Sequence, residues 1–388
     1  MAHLLLAIIY LSFISLGLPD SLLGSAWPSM YPAFGVPVSY AGIISVIISV
    51  GTIISSLSSD RLTQRFGAGK VTAVSVAMTA LGLLGFSVSG SFWMLCLIAV
   101  PYGLGAGGVD AALNNYVAVH YASCHMSWLH CMWGVGASIG PYVMGAALTN
   151  GASWGAGYRW IAILQIVLTA ILFLSLPLWK KRGTKEETQA ACVLPLRQVF
   201  ALPGAKQVIA AFFGYCALEQ TVILWGSSYL VLQAGMSAKS AAGFASLFLI
   251  GLTVGRAASG FLTLKFNDTQ MIRLGLAIIA SGVILLLLPL GKSATLVGLA
   301  LVGLGCAPVY PCIIHSTPEH FGADCSQAVI GIQMASAYVG SLIMPPLFGL
   351  IAQHISTALF PWYLLLVLAL MVFSHESLVR NCGGKKIS

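Results

Sequence analysis

Three acidic residues lie inside stretches of sequence that are otherwise apolar. Asp110 lies in the apolar run 91–119, and Asn114 follows it by four residues. On a helix, side chains at this spacing share one face. Asp20 and Glu219 interrupt two other apolar runs. A carboxyl group in hydrocarbon costs at least ~2.5–3.5 kcal/mol on insertion scales, so each of these acids needs a polar partner or a polar cavity, and such acids are candidates for carrying a proton or binding a polar solute.

The composition shows which solvent surrounds the chain. Of its 388 residues, 58% are hydrophobic and 7% are charged, and the mean hydropathy is +0.93. A soluble domain carries roughly 25% charged residues, so the solvent here is lipid. A membrane-spanning helix needs about 20 apolar residues, which leaves room for about twelve spans. The 42 glycines and the long runs without alternation favour packed helices over a β-barrel.

Twelve apolar runs predict an all-α membrane protein with twelve transmembrane helices. A polar run that begins at Lys180 separates the sixth span from the seventh, and it predicts an N-terminal six-helix bundle (1–179), a cytoplasmic linker (180–206) and a C-terminal six-helix bundle with a short tail (207–388). The expected spans are 4–30, 39–59, 71–88, 91–119, 127–148, 158–179, 207–232, 240–262, 271–290, 295–317, 327–352 and 357–374.

The distribution of basic residues predicts the orientation of these spans. With the N-terminus inside, the outer segments hold only Arg159, Lys239 and Lys292, and Arg256 lies within span eight. All other Lys and Arg residues fall on the inner side, which is typical of a cell (inner) membrane protein with both termini in the cytoplasm. The net charge of +8 therefore comes from basic residues that orient the spans, and we expect no nucleic-acid partner.

No residue pattern indicates an enzyme, a metal site or a bound cofactor. The nine cysteines are scattered and show neither the Cys-x-x-Cys nor the Cys/His spacing of metal ligands. The zinc-protease and phosphate-loop motifs are absent from the sequence. We therefore expect a monomeric protein whose partners are the bilayer and a small polar solute, with a proton or, as the alternative, a sodium ion for coupling.

An internal repeat with an offset of 200 residues relates the two halves. Leu62–Phe66 resembles Leu262–Phe266, and Gly103-Leu-Gly105 reappears as Gly303-Leu-Gly305. A repeat of six helices that occurs twice in the same order is typical of a duplicated transporter. The offset places Gln220 opposite Asp20 and Tyr310 opposite Asp110.

The repeat and one loop together resemble the major facilitator superfamily. The loop between spans two and three carries Asp60-Arg61 followed by Arg65, similar to the signature of that superfamily. The resemblance implies that these three residues gate the transporter by latching helix ends together. Arg256, about six residues from the inner end of span eight, is interpreted as the gating element of the second half.

Within the superfamily, the glycine-rich approach to Asp110 and Asn114 resembles the fucose-permease-like sugar transporters. Asp20, beside Pro19 in span one, fits the same group. The resemblance implies proton-coupled symport of a sugar or similar polar solute by alternating access, with Asp20, Asp110 and Glu219 as coupling residues. The candidate solute-binding residues are Trp27, Asn114, His130, Trp133, Gln220, Tyr310, His315 and Gln333.

Two other functions remain open at this stage. The sequence from Gly136 through Gly140-Pro141 to Gly145 also resembles the Gly-Pro motif of drug–proton antiporters, although span four lacks the arginine of that group. A non-transporting membrane sensor on the same fold is the alternative from another class.

Overall fold

The computed structural model describes residues 2–20, 22–37, 40–149, 153–180, 194–236 and 238–382, and these form helices joined by short turns. The first seven are α1 (Ala2–Asp20), α2 (Leu22–Phe34), α3 (Ala41–Phe66), α4 (Ala68–Ser87), α5 (Phe92–His120), α6 (Ser123–Thr149) and α7 (Trp154–Lys180). The remainder are α8 (Leu196–Val199), α9 (Ala205–Leu232), α10 (Ala238–Leu262), α11 (Asp268–Leu287), α12 (Lys292–His315), α13 (Thr317–Phe321), α14 (Ala323–His354), a 3₁₀ turn (Thr357–Leu359) and α15 (Phe360–Cys382).

The all-α membrane architecture is confirmed. Eleven segments among the described residues are long and apolar enough to cross a membrane. The 25-residue helix α10 occupies the position of the expected eighth span. The expected first span is described as α1 and α2, with Ser21 outside the described residues. Most of the polar linker run, residues 181–193, also lies outside them.

Large apolar side chains on the outer faces of the helices match a lipid solvent. Leu97 on α5 and Leu174 on α7 are 73% and 82% exposed, and Phe373 on α15 is 73% exposed. Exposed apolar surface on this scale is unfavourable in water and is the expected surface of a helix that faces lipid. The residues buried between helices include many small side chains, as expected for close helix packing in a membrane.

The chain divides into two compact units. Unit 1 comprises Met1–Tyr116, Leu129–Leu194 and Ala323–Gly331, and unit 2 comprises Val117–Trp128, Pro195–Gly322 and Ile332–Ser388. Each unit therefore takes a short segment from the opposite half of the sequence. The segment in unit 2 contains the turn between α5 and α6, and the segment in unit 1 contains the start of α14.

Glycines in α5 bring this helix into backbone contact with two neighbours in unit 1. A Cβ atom on Gly103 or Gly107 would collide with the backbone of α3, and one on Gly105 would approach the carbonyl oxygen of Ser75 on α4 to 2.7 Å. The glycine-rich sequence before Asp110 therefore serves close packing, which any side chain would block. The same packing fixes the rotation of α5 and hence the direction in which Asp110 points.

The 200-residue repeat is visible in the packing of each unit. A Cβ atom on Gly305 of α12 would lie 2.6 Å from the carbonyl oxygen of Gly275 on α11, just as one on Gly105 would meet Ser75. Both members of this pair are shifted by the repeat offset. The two halves thus use the same helix contacts, whatever the chemistry of their polar residues.

Helices α1 and α6 also meet backbone to backbone. A Cβ on Gly17 would overlap the carbonyl oxygen of Trp133, and a Cβ on Gly136 would overlap that of Ile14. These two glycines let the helices approach closely near the C-terminal end of α1, where Asp20 lies. The contact determines which residues of α6 can reach Asp20.

We expect Gly17→Ala to destabilise unit 1, because its methyl group has no space beside Trp133. Overpacking of this kind typically costs about 1–3 kcal/mol. Thermal unfolding in detergent, followed by circular dichroism, measures the loss. Gly24→Ala is the matched control, because nothing lies within 4 Å of the new methyl group. Equal unfolding midpoints for the two variants would contradict the packing role of Gly17.

Candidate functional site

Asp20 and Trp133 form a hydrogen-bonded pair between α1 and α6. The indole Nε1 of Trp133 donates to Oδ2 of Asp20 over 2.7 Å. The carboxyl is exposed and the indole is half-buried. The sequence predicted Trp133 as a solute-binding residue but not this hydrogen bond, because the two residues are 113 positions apart. The pair combines a hydrogen-bond acceptor with an aromatic ring.

Asp110, Asn114 and His130 form a second polar group in unit 1. The Asn114 Nδ2 atom donates to Asp110 Oδ1 over 2.8 Å and to the Asp110 carbonyl oxygen over 2.9 Å. His130 Nε2 lies 3.0 Å from Asn114 Oδ1. All three side chains are buried, with exposed fractions of 5%, 0% and 4%. The predicted common face of Asp110 and Asn114 is therefore present as a direct hydrogen bond.

The two carboxyl groups of unit 1 act on each other. Asp110 lies close enough to Asp20 for electrostatic repulsion between their charged forms. Asp20 accepts a hydrogen bond from an indole, and Asp110 accepts one from a carboxamide. Both of these donors are neutral.

Unit 2 holds a buried ion pair. Arg256 Nη2 lies 3.2 Å from Glu219 Oε1 and donates to the Tyr215 hydroxyl over 3.3 Å. The guanidinium carbon lies 5.9 Å from the centre of the Tyr310 ring. Arg256 is only 3% exposed, so it lies inside the helix bundle, paired with an acid. The structure thus pairs Arg256 with Glu219, and the gating role of Arg256 and the coupling role of Glu219 stay predictions.

The remaining solute candidates occupy different surroundings. Gln220 is half-buried beside Glu219 on α9. Tyr310 packs against Phe212 with ring centres 4.6 Å apart and an angle of 46° between the ring planes. Gln333 is fully buried and bonded to the Thr317 hydroxyl. Trp27 is 4% exposed and packs edge-on against Phe92.

The candidate gating residues of the first half lie at the C-terminal end of α3. Asp60 is buried and accepts a 2.7 Å hydrogen bond from Gln64 of the same helix. Arg61 and Arg65 are exposed. The neighbouring Ser59 makes the contact to another helix, because its hydroxyl accepts a 2.8 Å bond from Gln327 on α14. The sequence did not reveal this neutral contact, and the latch expected at Asp60 and Arg61 stays a prediction.

His315 belongs to a polar cluster at the end of α12. Its Nδ1 atom lies 2.5 Å from Asp268 Oδ2, and its Nε2 atom lies 2.9 Å from the Tyr121 carbonyl oxygen. Ser123 donates to the other Asp268 oxygen. Both ring nitrogens of His315 face acceptors, the arrangement of a doubly protonated ring. His315 therefore links α11 and α12 to the turn between α5 and α6, and its contact with solute stays a prediction.

The equivalent position in the first half makes a similar helix-end contact. Asn115, 200 residues before His315, accepts a 2.6 Å hydrogen bond from Ser326 at the start of α14. Asn115 does not share a face with Asp110, so the local spacing gave no reason to include it in the site. The sequence could have identified Asn115 only through the repeat, because the offset of 200 residues makes it the equivalent of His315.

The whole chain also resembles proteins that are already known. The family model of the Major Facilitator Superfamily matches residues 9–345. The chain belongs to the major facilitator superfamily. An uncharacterized MFS-type transporter of Yersinia pestis is 24% identical over 339 residues, which cover 85% of each chain. This member of the superfamily is therefore a multi-pass membrane transporter and not an enzyme.

Solved structures of the superfamily share its fold. The fucose:proton symporter FucP of Escherichia coli matches with a TM-score of 0.77 and 17% identity, covering 97% of this chain and 98% of that one. The proton:xylose symporter XylE matches with a TM-score of 0.81 and 13% identity, covering 97% and 94%. At these identities the likeness concerns the fold.

We expect the buried pair of unit 2 to be sensitive to the loss of one partner. Arg256→Met leaves Glu219 buried without its cation, which typically costs about 3–5 kcal/mol. The double variant Glu219→Gln/Arg256→Met should lose less than the sum of the two single variants, because no lone charge remains. Unfolding titrations of detergent-solubilised protein measure these differences.

The control for this experiment is the exposed pair of Arg273 and Glu376. It has two 2.7 Å bonds, but the Arg273 side chain is 51% exposed. Arg273→Met should cost at most about 1 kcal/mol, since exposed ion pairs contribute little. Additive losses in the Arg256 and Glu219 variants would show that the buried pair is not coupled.

Proposed function

We propose that this transporter catalyses proton-coupled symport of a sugar or similar neutral polar solute by alternating access. The observation that carries the proposal is the pair of hydrogen-bonded carboxyls inside unit 1, Asp20 with Trp133 and Asp110 with Asn114. Each accepts a hydrogen bond from a neutral group. Uptake of one proton removes one of the two charges, and the loaded carrier then reorients with less charge to move through an apolar gate.

Asp20 and Trp133 are the proposed solute-contacting pair. A carboxylate accepts hydrogen bonds from hydroxyl groups, and an indole face offers apolar area to the ring of a sugar. The exposure of Asp20 and the half-exposure of Trp133 leave both groups accessible. The fucose and xylose symporters among the solved structures support the same solute class.

The charges of the candidate residues favour a neutral solute over an anion. Unit 1 holds the two candidate acids, Asp20 and Asp110. In unit 2 the buried Arg256 is paired with Glu219, so its charge is compensated within the unit. Tyr310 and Gln220, both half-buried on helices of unit 2, are the proposed hydroxyl-binding groups of that unit.

Uptake measurements in proteoliposomes test this proposal. Labelled fucose, xylose and glucose represent neutral sugars, glucuronate represents a sugar acid, and a lipophilic cation represents the substrates of drug antiporters. A proton gradient and a sodium gradient are imposed separately. Proton-driven accumulation of a neutral sugar is the expected result. Efflux of the lipophilic cation without uptake of any sugar would overturn the proposal in favour of drug–proton antiport, and transport of none of the probes would favour the sensor.

We predict that Asp110→Asn abolishes proton-driven accumulation while retaining counterflow exchange. The amide is a permanent neutral mimic of the protonated acid, so the carrier can still reorient with solute but can no longer release its proton. Uptake against a gradient and exchange at equal concentrations are measured on the same vesicles.

Asp324→Asn makes the same chemical change at an exposed position in the first turn of α14 and serves as the control. It should leave both transport modes unchanged. Accumulation of solute by the Asp110→Asn variant would show that Asp110 is not the coupling residue.

A further inference from the structure

Helix α6 supplies a polar group to each of the two acids of unit 1. Trp133 donates directly to Asp20. His130, three residues earlier, is linked to Asp110 through Asn114. We infer that His130 is a positioning residue that orients the Asn114 carboxamide so that its N–H groups face Asp110. This inference rests on the proposed role of Asp110 in proton coupling.

Counting hydrogens fixes the direction of each bond in this chain of contacts. The Asn114 Nδ2 atom has two hydrogens, and two acceptors lie within reach: Asp110 Oδ1 at 2.8 Å and the Asp110 carbonyl oxygen at 2.9 Å. Asn114 Oδ1 is then an acceptor, so His130 Nε2, 3.0 Å away, must be the donor. The proton on His130 Nε2 thus determines which end of the carboxamide faces the acid.

The reverse orientation of Asn114 would change the chemistry at Asp110. It would turn the carboxamide oxygen toward the carboxylate and replace an attractive N–H contact by a repulsive one. The Asn114 side chain is fully buried, so water cannot substitute for a lost partner. A buried acceptor that loses its donor is destabilised. Without the His130 donor, the orientation that favours ionised Asp110 loses this advantage.

Groups from several helices surround Asp110. Asp20 on α1 acts on it electrostatically, and His130 on α6 acts through Asn114. From α3 and α4, the hydroxyls of Ser55 and Ser75 face Gly108, two residues before Asp110. Hydroxyls do not titrate in the physiological range, so His130 and Asp20 are the titratable groups that these contacts bring to Asp110.

His130 also packs as an aromatic ring, and the test must separate this role from hydrogen bonding. Its ring meets Phe13 edge-on, with centroids 5.3 Å apart and an interplanar angle of 89°. His130→Phe keeps an aromatic ring at this contact but removes the donor. His130→Gln removes the ring but keeps an N–H group that can reach Asn114 Oδ1. A structural role predicts that Phe is the better replacement, whereas a positioning role predicts that Gln is.

Infrared spectroscopy of the reconstituted full-length protein measures the titration of Asp110 without any solute. The C=O band of a protonated carboxyl that disappears in Asp110→Asn is assigned to Asp110 and followed as a function of pH. We expect His130→Phe to move the midpoint of this band to higher pH by about one unit, a tenfold change in proton affinity. His130→Gln should stay within a few tenths of a unit of the wild type.

Three further variants complete the experiment. Asn114→Leu, which removes the donor itself, should shift the midpoint at least as far as His130→Phe. His130→Leu is a second variant without the donor, for use if His130→Phe does not fold. Gln165→Leu removes another buried polar side chain of unit 1, bonded to Thr79 and the Ser15 carbonyl, and should leave the midpoint unchanged.

The outcomes separate this inference from the proposed function. A shift in Asn114→Leu without one in the donor-free His130 variants would overturn the positioning role, as would an equal shift in His130→Gln. If the infrared shifts occur as expected but Asp110→Asn still accumulates solute, the positioning role stands and the coupling role of Asp110 fails.

Discussion

The cost of placing a carboxyl group inside a membrane protein determines the organisation of this transporter. Each acid within its spans requires a partner, and the structure meets this need in two ways. Glu219 is neutralised by Arg256 within unit 2. Asp20 and Asp110 instead accept hydrogen bonds from an indole and a carboxamide, which stabilise a charge without cancelling it. The first arrangement favours a stable ion pair, whereas the second is compatible with reversible protonation of the acid.

The two halves share their glycine contacts but differ in their polar residues. Gly105 and Gly305 face equivalent carbonyl groups 200 residues apart, so the helix contacts are repeated. At the polar positions the repeat is broken, because Tyr310 stands where the first half has Asp110. Close backbone packing demands glycine in both halves, whereas the side chains that face the interior are free to differ. This division explains how a duplicated scaffold can have an acid at position 110 of the first half and a tyrosine at the equivalent position of the second.

Local spacing predicted part of the candidate site, and long-range contacts supplied the rest. The shared face of Asp110 and Asn114 follows from their i, i+4 spacing and appears as a hydrogen bond. The all-α fold likewise followed from the apolar runs, whereas α3 continues to Phe66 and α15 to Cys382, beyond the ends expected at 59 and 374. The bond between Asp20 and Trp133 depends on the rotation and depth of two helices relative to each other. The approach of α1 and α6 through Gly17 sets both, and no periodicity in either helix reveals it.

Helices α5 and α12 each carry a polar residue that makes a contact near the end of the helix. Asp110 and Asn115 are five residues apart on α5, about 7.5 Å along the axis. Asn115 bonds to Ser326, and its repeat equivalent His315 bonds to Asp268. Any tilt or rotation of α5 as a rigid helix would move Asn115 against Ser326. The first-half contact is made by neutral groups and the second by ionisable ones, so an equal displacement at the two ends has unequal energetic consequences.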